Sequence, residues 1–265
     1  MNLVARTACL LVLNLLCLTS TARAEEINVA VASNFTATMK AIVAEFEKSS
    51  GHHVNLSLGA SGKFYAQIKN GAPFHAFFSA DQAKPEALEQ DGLTVPESRF
   101  TYAIGALALW SIKAGFVDDN ATKLKSGNFN KLALANPRLA PYGVAAIEVL
   151  DHLQLREETG PKWVLGENIA QTYQFVHTGN ADMGFVALSQ IIEQGLIKKG
   201  SGWIIPDSFY TPVRQDAVLL QHGKDSHAAH ALLDFVRSSN TARKIIEDHG
   251  YKIPAITNKR QEPKL

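Results

Sequence analysis

The chain has 265 residues, which is enough to bury one large hydrophobic core or two smaller ones. Its 26 Lys and Arg residues almost balance its 25 Asp and Glu residues, so the formal net charge at pH 7 is +1. A nearly neutral chain has no overall electrostatic attraction to nucleic acid or to anionic lipid, and we expect no nucleic-acid partner.

The first 24 residues, MNLVARTACLLVLNLLCLTSTARA, have the pattern of a secretory signal peptide. Arg6 supplies a positive charge, an apolar run follows from Leu10 to Leu18, and residues 22–24 form an A-x-A cleavage site. The apolar run is shorter than the ~20 residues that a membrane-spanning helix needs. We therefore predict that residues 1–24 are removed and that the mature protein, starting near Glu25, is exported.

Both cysteines, Cys9 and Cys17, lie inside this segment, so the mature chain contains none. This excludes disulfides, thiol catalysis and cysteine-ligated metals. The segment also holds two Arg residues and no acidic residue, so its removal changes the formal net charge from +1 to −1. The mature fold must be stabilised by an ordinary hydrophobic core.

Strand and helix patterns alternate in the first part of the mature chain. The strand-like segments INVAVAS, HVNLSLG and HAFFSAD are followed by the helical patterns NFTATMKAIVAEFEKSSG, SGKFYAQIKNG and QAKPEALEQDG, respectively. Gly51 is expected to end the first of these helices. The βαβα order predicts a mostly parallel sheet with helices on both faces.

Two long apolar segments follow, each predicted to be a long strand: residues 101–113, TYAIGALALWSIK, and residues 210–221, YTPVRQDAVLLQ. Between them lie a strand in KLALANP, a helix after Pro141, and a helix end, turn and strand in FVHTGNADMGFVALSQI; two helices follow the second long strand. Two lobes joined by two crossing strands would hold a ligand between them. A single α/β enzyme domain explains the same pattern equally well.

The turn GASGK raises the question of phosphate binding. The Walker A pattern needs a Gly five residues before the Gly-Lys pair and a Ser or Thr after it, but this chain has Ser57 and Phe64 there. What remains is a strand, a small-residue turn and a helix whose first N–H groups have no intrahelical partner, which is typical of an anion site. We interpret Lys63, in this turn, as a solvated surface residue.

Ser33 and Ser61 occupy equivalent places in two successive strand–helix units. Each follows a strand and begins a helix, so its hydroxyl either caps its own helix or binds a ligand. Because consecutive strands usually lie near each other, the two hydroxyls and the two helix N-termini are expected to converge.

Enzyme chemistry is only weakly indicated. Asp81 and Asp182 are possible general bases, but they follow a strand and lie in a turn, where acids usually act as caps and turn formers. The sequence has no G-x-S-x-G motif, and its histidines lack the spacing of a zinc site. We predict no catalytic residue, no protein-ligated metal cation and no cofactor.

Several blocks of the mature chain point to one family: VASN at the first turn, SG at the second helix, IKNGAPFHAFFSAD, NPRLAPYGVAAIEVL and GNADMGFVALS. The third is similar to the family pattern G-A-P-x-D-x-F-x-S-A-D. Together they resemble the periplasmic molybdate-binding proteins of ABC transporters over essentially the whole mature chain.

The resemblance implies the type II periplasmic binding fold, an α/β fold of two lobes. Mostly parallel sheets flanked by helices form the lobes, and two hinge strands connect them. We expect lobe I at residues 25–105 and 213–265, and lobe II at residues 106–212.

The resemblance also implies the residues that bind the ligand. In the first lobe they are Ser33 and Ser61, with Asn34 as a position shared by a subgroup of the family. In the second lobe they are the backbone N–H groups of Tyr142 and Ile169.

Some family members add a Tyr hydroxyl from the position that is Ala187 here, so that donor is missing and the Tyr142 hydroxyl is the candidate replacement. Molybdate is a dianion whose oxygens only accept hydrogen bonds at neutral pH, so its site needs donors and no inward carboxylate. None of the five implied positions is acidic. Sulfate has the same charge and a smaller radius, so selection against it must come from cavity size.

The implied function is that of an extracytoplasmic solute-binding protein. It would capture molybdate, and tungstate with it, between two closing lobes and deliver it to the permease and ATPase subunit of an ABC transporter. A periplasmic location and a monomeric state are implied as well. The alternatives are a binder of another tetrahedral oxyanion such as sulfate and, from a different class, an exported α/β hydrolase with Ser33 or Ser61 as nucleophile.

Overall fold

The structure is a computed structural model that describes residues 24–193 and 195–254. The predicted signal peptide, apart from Ala24, and the polar C-terminal segment NKRQEPKL lie outside the described residues. Every helix within residues 24–193 and 195–254 is too short or too polar to cross a membrane.

Twelve strands form two five-stranded sheets and one small hairpin in the described part of the chain. They are β1 (Glu26–Ala32), β2 (His53–Gly59), β3 (Ala76–Phe78), β4 (Phe100–Gly105), β5 (Leu107–Ser111), β6 (Leu132–Ala135), β7 (Trp163–Gly166), β8 (Met183–Ala187), β9 (Ile192–Glu193), β10 (Leu196–Ile197), β11 (Ser201–Ile204) and β12 (Val213–Leu219).

Nine α-helices connect or cover these strands in residues 24–193 and 195–254. They are α1 (Thr36–Ser50), α2 (Ser61–Lys69), α3 (Ala83–Gln90), α4 (Thr122–Lys125), α5 (Pro141–His152), α6 (Arg156–Thr159), α7 (Ile169–His177), α8 (His227–Ser238) and α9 (Asn240–Asp248). Single 3-10 turns lie at Ser33–Phe35, Gly160–Lys162, Leu188–Gln190, Asp207–Phe209 and Gln221–Gly223. Gly51 ends α1 in the left-handed conformation (φ 75°), as predicted.

The first sheet has the strand order β2-β1-β3-β12-β4. The inner strand β1 pairs parallel with β2 and β3, whereas β12 pairs antiparallel with β3 and β4. Alternate residues of β1 face opposite sides: Ile27, Val29 and Val31 pack in one core cluster and Ala30 packs in another. Helices α1, α8 and α9 contact one another and, through α1 and α8, this sheet, while α2 and α3 also pack on it. We call this sheet with its helices the first lobe.

The second sheet has the strand order β11-β5-β8-β6-β7. Here β6 pairs parallel with β7 and β8, and β5 pairs antiparallel with β8 and β11. Helices α5 and α7 contact this sheet. We call this sheet with its helices the second lobe.

The predicted two-lobed α/β fold is confirmed. In each sheet four strands run in one direction, and a single strand next to a crossing, β12 in the first sheet and β5 in the second, runs antiparallel to its neighbours. Parallel order is kept where a helix connects two strands of one sheet, as between β1 and β2.

The segment 101–113 is not the single long strand that its apolar run predicts. It divides into β4 and β5 with Ala106 between them, and these two strands belong to different sheets. The chain therefore passes from the first lobe to the second at Ala106 and returns between β11 and β12. The limits of the two lobes at residues 105/106 and 212/213 stay a prediction.

Candidate anion-binding site

Four helical N-termini surround one small cavity between the lobes. Two belong to the first lobe, at the 3-10 turn Ser33–Phe35 and at α2, and two to the second lobe, at α5 and α7. The cavity is small: its volume is ≈ 10 Å³, far below the ~300–1,000 Å³ of sites for drug-sized ligands. Its lining residues are Ala32, Ser33, Asn34, Gly59, Ala60, Ser61, Ala80, Ala140, Pro141, Tyr142, Asn168 and Ile169.

Local sequence explains why helices begin at this point. Pro141 occupies the first turn of α5, where its missing N–H costs nothing and its fixed φ suits a helix. Asn168 caps α7 by accepting a hydrogen bond from the N–H of Gln171 at 3.0 Å. Small residues at positions 59, 60 and 80 leave the helix ends accessible from the cavity.

Ser33 does not cap its own helix. Its Oγ lies 3.3 Å from Asn168 Oδ1, to which it donates, and accepts a hydrogen bond from the N–H of Ala170 at 3.4 Å. Both partners belong to the second lobe, so this hydroxyl joins the lobes at the cavity wall. The capping interpretation of Ser33 is therefore wrong.

Ser61 also makes no capping bond. Its Oγ accepts a hydrogen bond from the N–H of Ala80 at 2.9 Å, and its side chain is only 1% exposed. Because a hydroxyl has a single hydrogen and that hydrogen is not used for Ala80, it remains available to donate into the cavity.

The backbone N–H groups of Ser61, Tyr142 and Ile169 lie in the first turns of α2, α5 and α7, where an α-helix offers them no internal acceptor. Within the described residues, none of the three donates a hydrogen bond to a protein acceptor. Oriented first-turn N–H groups carry partial positive charge and favour an anion.

The side chains of Asn34 and Tyr142 are engaged in a buried polar network below the cavity. Asn34 Nδ2 donates to Gln215 Oε1 at 2.8 Å and to Tyr251 Oη at 3.0 Å, and Gln215 Nε2 donates to Tyr142 Oη at 3.3 Å. Ser189 Oγ donates to the Asn34 carbonyl at 3.1 Å. Both hydrogens of the Asn34 amide are thus used, so Asn34 faces the cavity with its backbone.

Burial raises the pKa of Tyr142 well above its usual range, and the neighbouring Tyr251 and Tyr102 add to the shift. The phenol therefore stays neutral at physiological pH and places no negative charge beside the cavity. Among the described residues, those that line the cavity carry no charged side chain. The site is a set of neutral donors, which suits a small anion that only accepts hydrogen bonds.

Lys63 lies outside the cavity. Its Nζ is 2.6 Å from Glu167 Oε2, and both side chains are about half exposed. Nearby, the N–H of Gly62 donates to the Leu139 carbonyl at 2.9 Å. Both contacts join the first lobe to the second, so Lys63 is a surface residue with a partner in the other lobe.

The two aspartates considered as bases hold backbone turns instead. Asp81 accepts from Ser79 Oγ at 2.9 Å and from the N–H of Lys84 at 3.2 Å, at the start of α3. Asp182 accepts from the N–H groups of Asn130 and Lys131 at 2.9 and 3.1 Å. In residues 24–193 and 195–254, neither Ser33 nor Ser61 has a His or a carboxylate as a hydrogen-bond partner.

The structure thus brings Ser33, Asn34, Ser61, Tyr142 and Ile169 to one cavity, and their binding roles stay a prediction. Sequence reasoning missed Asn168 and Gln215. Asn168 was open to detection, because an Asn three residues before a Gln, ahead of an apolar helix, is typical of an N-cap. Gln215 lies inside a strand pattern that gives no indication of its contacts.

Comparison with known proteins gives concordant results. Residues 27–252 match the family described as "Bacterial extracellular solute-binding protein". The chain is 54% identical to the molybdate-binding protein ModA of Azotobacter vinelandii, over 87% of this chain and 91% of that protein. It is 46% identical to ModA of Rhodobacter capsulatus, over 87% and 89% of the two chains.

A solved structure, the periplasmic molybdate-binding protein of Azotobacter vinelandii, superposes with a TM-score of 0.84 at 40% identity. The superposition covers 86% of this chain and 100% of that protein. The likeness therefore extends over both lobes.

Proposed function

The chain belongs to the bacterial extracellular solute-binding protein family. Since two of its relatives are molybdate-binding proteins, we propose that it binds molybdate in the cavity between its lobes. Membership of this family makes it a solute-binding protein and not an enzyme. The hydrolase alternative is thereby overturned, in agreement with the lack of a base beside either serine in the described residues.

The observation that carries the proposal is the convergence of helix N-termini and serine hydroxyls from both lobes on one uncharged cavity. The donors would be the hydroxyls of Ser33 and Ser61 and the N–H groups of Asn34, Tyr142 and Ile169. Fixed dipoles in a closed cleft stabilise a dianion without a countercharge. Ser33 would exchange its bond to Asn168 for one to the anion.

The proposal extends to the transport system. The mature protein would work in the periplasm as a monomer, deliver molybdate or tungstate to the permease of an ABC transporter with its ATPase subunit, and need no cofactor. The two molybdate-binding relatives and the signal-peptide pattern of residues 1–24 support this placement.

Calorimetric titration of residues 25–265 with molybdate, tungstate, sulfate and phosphate at neutral pH tests the proposal. We expect one-to-one binding of molybdate and tungstate, with sulfate at least about a hundredfold weaker, because a cavity fitted to the larger anion holds the smaller one with longer hydrogen bonds. Tightest binding of sulfate or phosphate would leave the fold intact and refute the ligand. The absence of binding for all four anions would refute the proposed function.

A further inference from the structure

Gln215 contacts residues of both lobes directly below the cavity. Its side chain, on β12, is fully buried. Oε1 accepts a hydrogen bond from Asn34 Nδ2 at 2.8 Å, and Nε2 donates to Tyr142 Oη at 3.3 Å. Asn34 belongs to the first lobe and Tyr142 to the second, and both line the cavity. One amide therefore connects the two walls of the site.

A β-bulge lies beside this amide. In the pairing of β12 with β4, Gln215 lies opposite Ala103, but Asp216 lies opposite Thr101, so Tyr102 is left without a partner. Such an extra residue redirects the side chains next to it. Gln215 and Asp216 are both buried, because β12 is an inner strand of the sheet with helices packed against it. The Tyr102 hydroxyl lies 3.0 Å from Gln215 Oε1 and supports its orientation.

Gly105, the last residue of β4, makes room for the contact between the lobes. A Cβ atom at this position would lie 1.9 Å from Tyr142 Oη and 2.7 Å from Gln215 Nε2, both far inside van der Waals distance. An Ala at position 105 would collide with Tyr142 of the second lobe and with Gln215 of the first, so Gly105 leaves room for the bond between these two side chains.

We infer that Gln215 is a positioning residue that couples closure of the two lobes to binding of the anion. The inference rests on the proposed function. When a hinge-bending protein opens, bonds within a lobe persist and bonds between lobes break. The Asn34–Gln215 bond is of the first kind and the Gln215–Tyr142 bond of the second. Gln215 thus holds Asn34 in place at all times. It forms its hydrogen bond to Tyr142 only when the lobes close and bring the N-terminus of α5 next to the anion.

The first variant is Gln215→Met, which keeps a similar side-chain volume and removes the three hydrogen bonds to Asn34, Tyr102 and Tyr142. We expect molybdate affinity to fall about tenfold or more, mainly through faster dissociation, because a buried bond that forms on closure is lost. The matched control is Thr101→Val, on the neighbouring strand. This variant removes the 2.7 Å hydrogen bond from Thr101 to Asp216. Since that bond lies within the first lobe and away from the cavity, the affinity for molybdate should stay within about twofold of the wild-type value.

A double-mutant cycle separates positioning from a general loss of structure. Tyr142→Phe removes the acceptor of the bond between the lobes. If Gln215 acts through Tyr142, the double variant loses clearly less affinity than the product of the two single losses. If the affinity loss of the double variant equals the product of the two single losses, the inference is overturned. A molybdate dissociation rate of Gln215→Met equal to that of the wild type would overturn it as well. Failure of the wild-type protein to bind molybdate would instead refute the proposed function itself.

The second variant, Gly105→Ala, tests the same contact without changing either polar partner and decides the matter if Gln215→Met does not fold. We expect weaker molybdate binding by about tenfold or more, because a Cβ at position 105 would push Tyr142 Oη and Gln215 Nε2 out of hydrogen-bond distance. Wild-type affinity in Gly105→Ala would overturn the inference.

Discussion

Ser33 and Ser61 differ in the hydrogen bonds that their hydroxyl groups already make. Ser61 Oγ accepts from a fixed backbone N–H of its own lobe, that of Ala80, which turns its hydrogen toward the cavity. Ser33 Oγ is shared with Asn168 and Ala170 of the other lobe at 3.3 and 3.4 Å, so an anion must compete for its hydrogen. The hydroxyl hydrogen of Ser61 is therefore free to bind an anion, whereas that of Ser33 must first leave Asn168.

We therefore predict that Ser61→Ala weakens molybdate binding more than Ser33→Ala does. Loss of the prepared donor should cost ~1.5–3 kcal/mol, about ten- to a hundredfold in affinity, because the lost bond is to a charged acceptor. Ser33→Ala should cost less, since the bond to Asn168 is given up on binding in any case. Calorimetry on both variants measures the two losses, and an equal or reversed order would contradict this ranking.

At the scale of elements, the turn between α7 and β8 depends on Asp182. Partial burial raises the pKa of this carboxyl, but hydrogen bonds from Lys113 Nζ and from the N–H groups of Asn130 and Lys131 outweigh that effect and lower it overall. These contacts fix the turn before β8 to the segment before β6 and to the end of β5.

The lowered pKa of Asp182 makes stability pH-dependent. Its folded-state pKa lies below the unfolded value of about 3.9, so its contribution is fully present above that pH and is lost as the pH falls through the folded value. Asp182→Asn should reduce the free energy of unfolding at pH 7 by ~1–2 kcal/mol and flatten its decline below about pH 4. Urea unfolding at several pH values measures this, and a decline as steep as that of the wild type would contradict it.

The same scale shows how far the sequence could predict the fold. Alternating apolar patterns predicted β1, β2, α1 and α2 with their order, and the strand-to-helix turns led to Ser33 and Ser61. The break at Ala106 was missed, because TYAIGALALW is apolar throughout and its pattern does not change where the chain leaves one sheet for the other. Short strands such as β7 and β11 hold too few residues to show a period.

Part of the site was also beyond sequence reasoning. The position of Gln215 depends on the register between β4 and β12, which lie far apart in the chain, and on a bulge that no local pattern marks. The bond between Ser33 and Asn168 depends on how the lobes meet. Contacts of this kind are set by tertiary packing, whereas the helix N-termini that donate to the cavity follow from local signals.

For the whole molecule, the pair Lys63–Glu167 bridges the outside of the cleft. An exposed ion pair is worth ~0–1 kcal/mol, so it can change dissociation by at most about fivefold. We predict that Lys63→Ala and Glu167→Ala each speed molybdate release by up to that factor, that the double variant releases no faster than either single one, and that about 1 M salt removes the difference.

Stopped-flow release of molybdate measures these rates. The reversed pair, Lys63→Glu with Glu167→Lys, should restore slow release. Lys244→Ala is the matched control, because the partner of Lys244, Asp248, lies on the same helix at 2.9 Å and the bond crosses no cleft. Faster release in the control, or no rescue by the reversed pair, would contradict a role of the pair in keeping the lobes together.

The insertion of β12 between β3 and β4 has a consequence for the order of assembly. The ribosome makes β4 early, but the strand that pairs with it arrives only after residues 106–212, which contain the whole second sheet. The second lobe can therefore form from a continuous stretch of chain, while the first lobe waits for the C-terminal part. A nascent chain that ends before Val213 therefore holds at most one finished lobe, and the cleft between the lobes cannot close until the C-terminal part of the chain has been made.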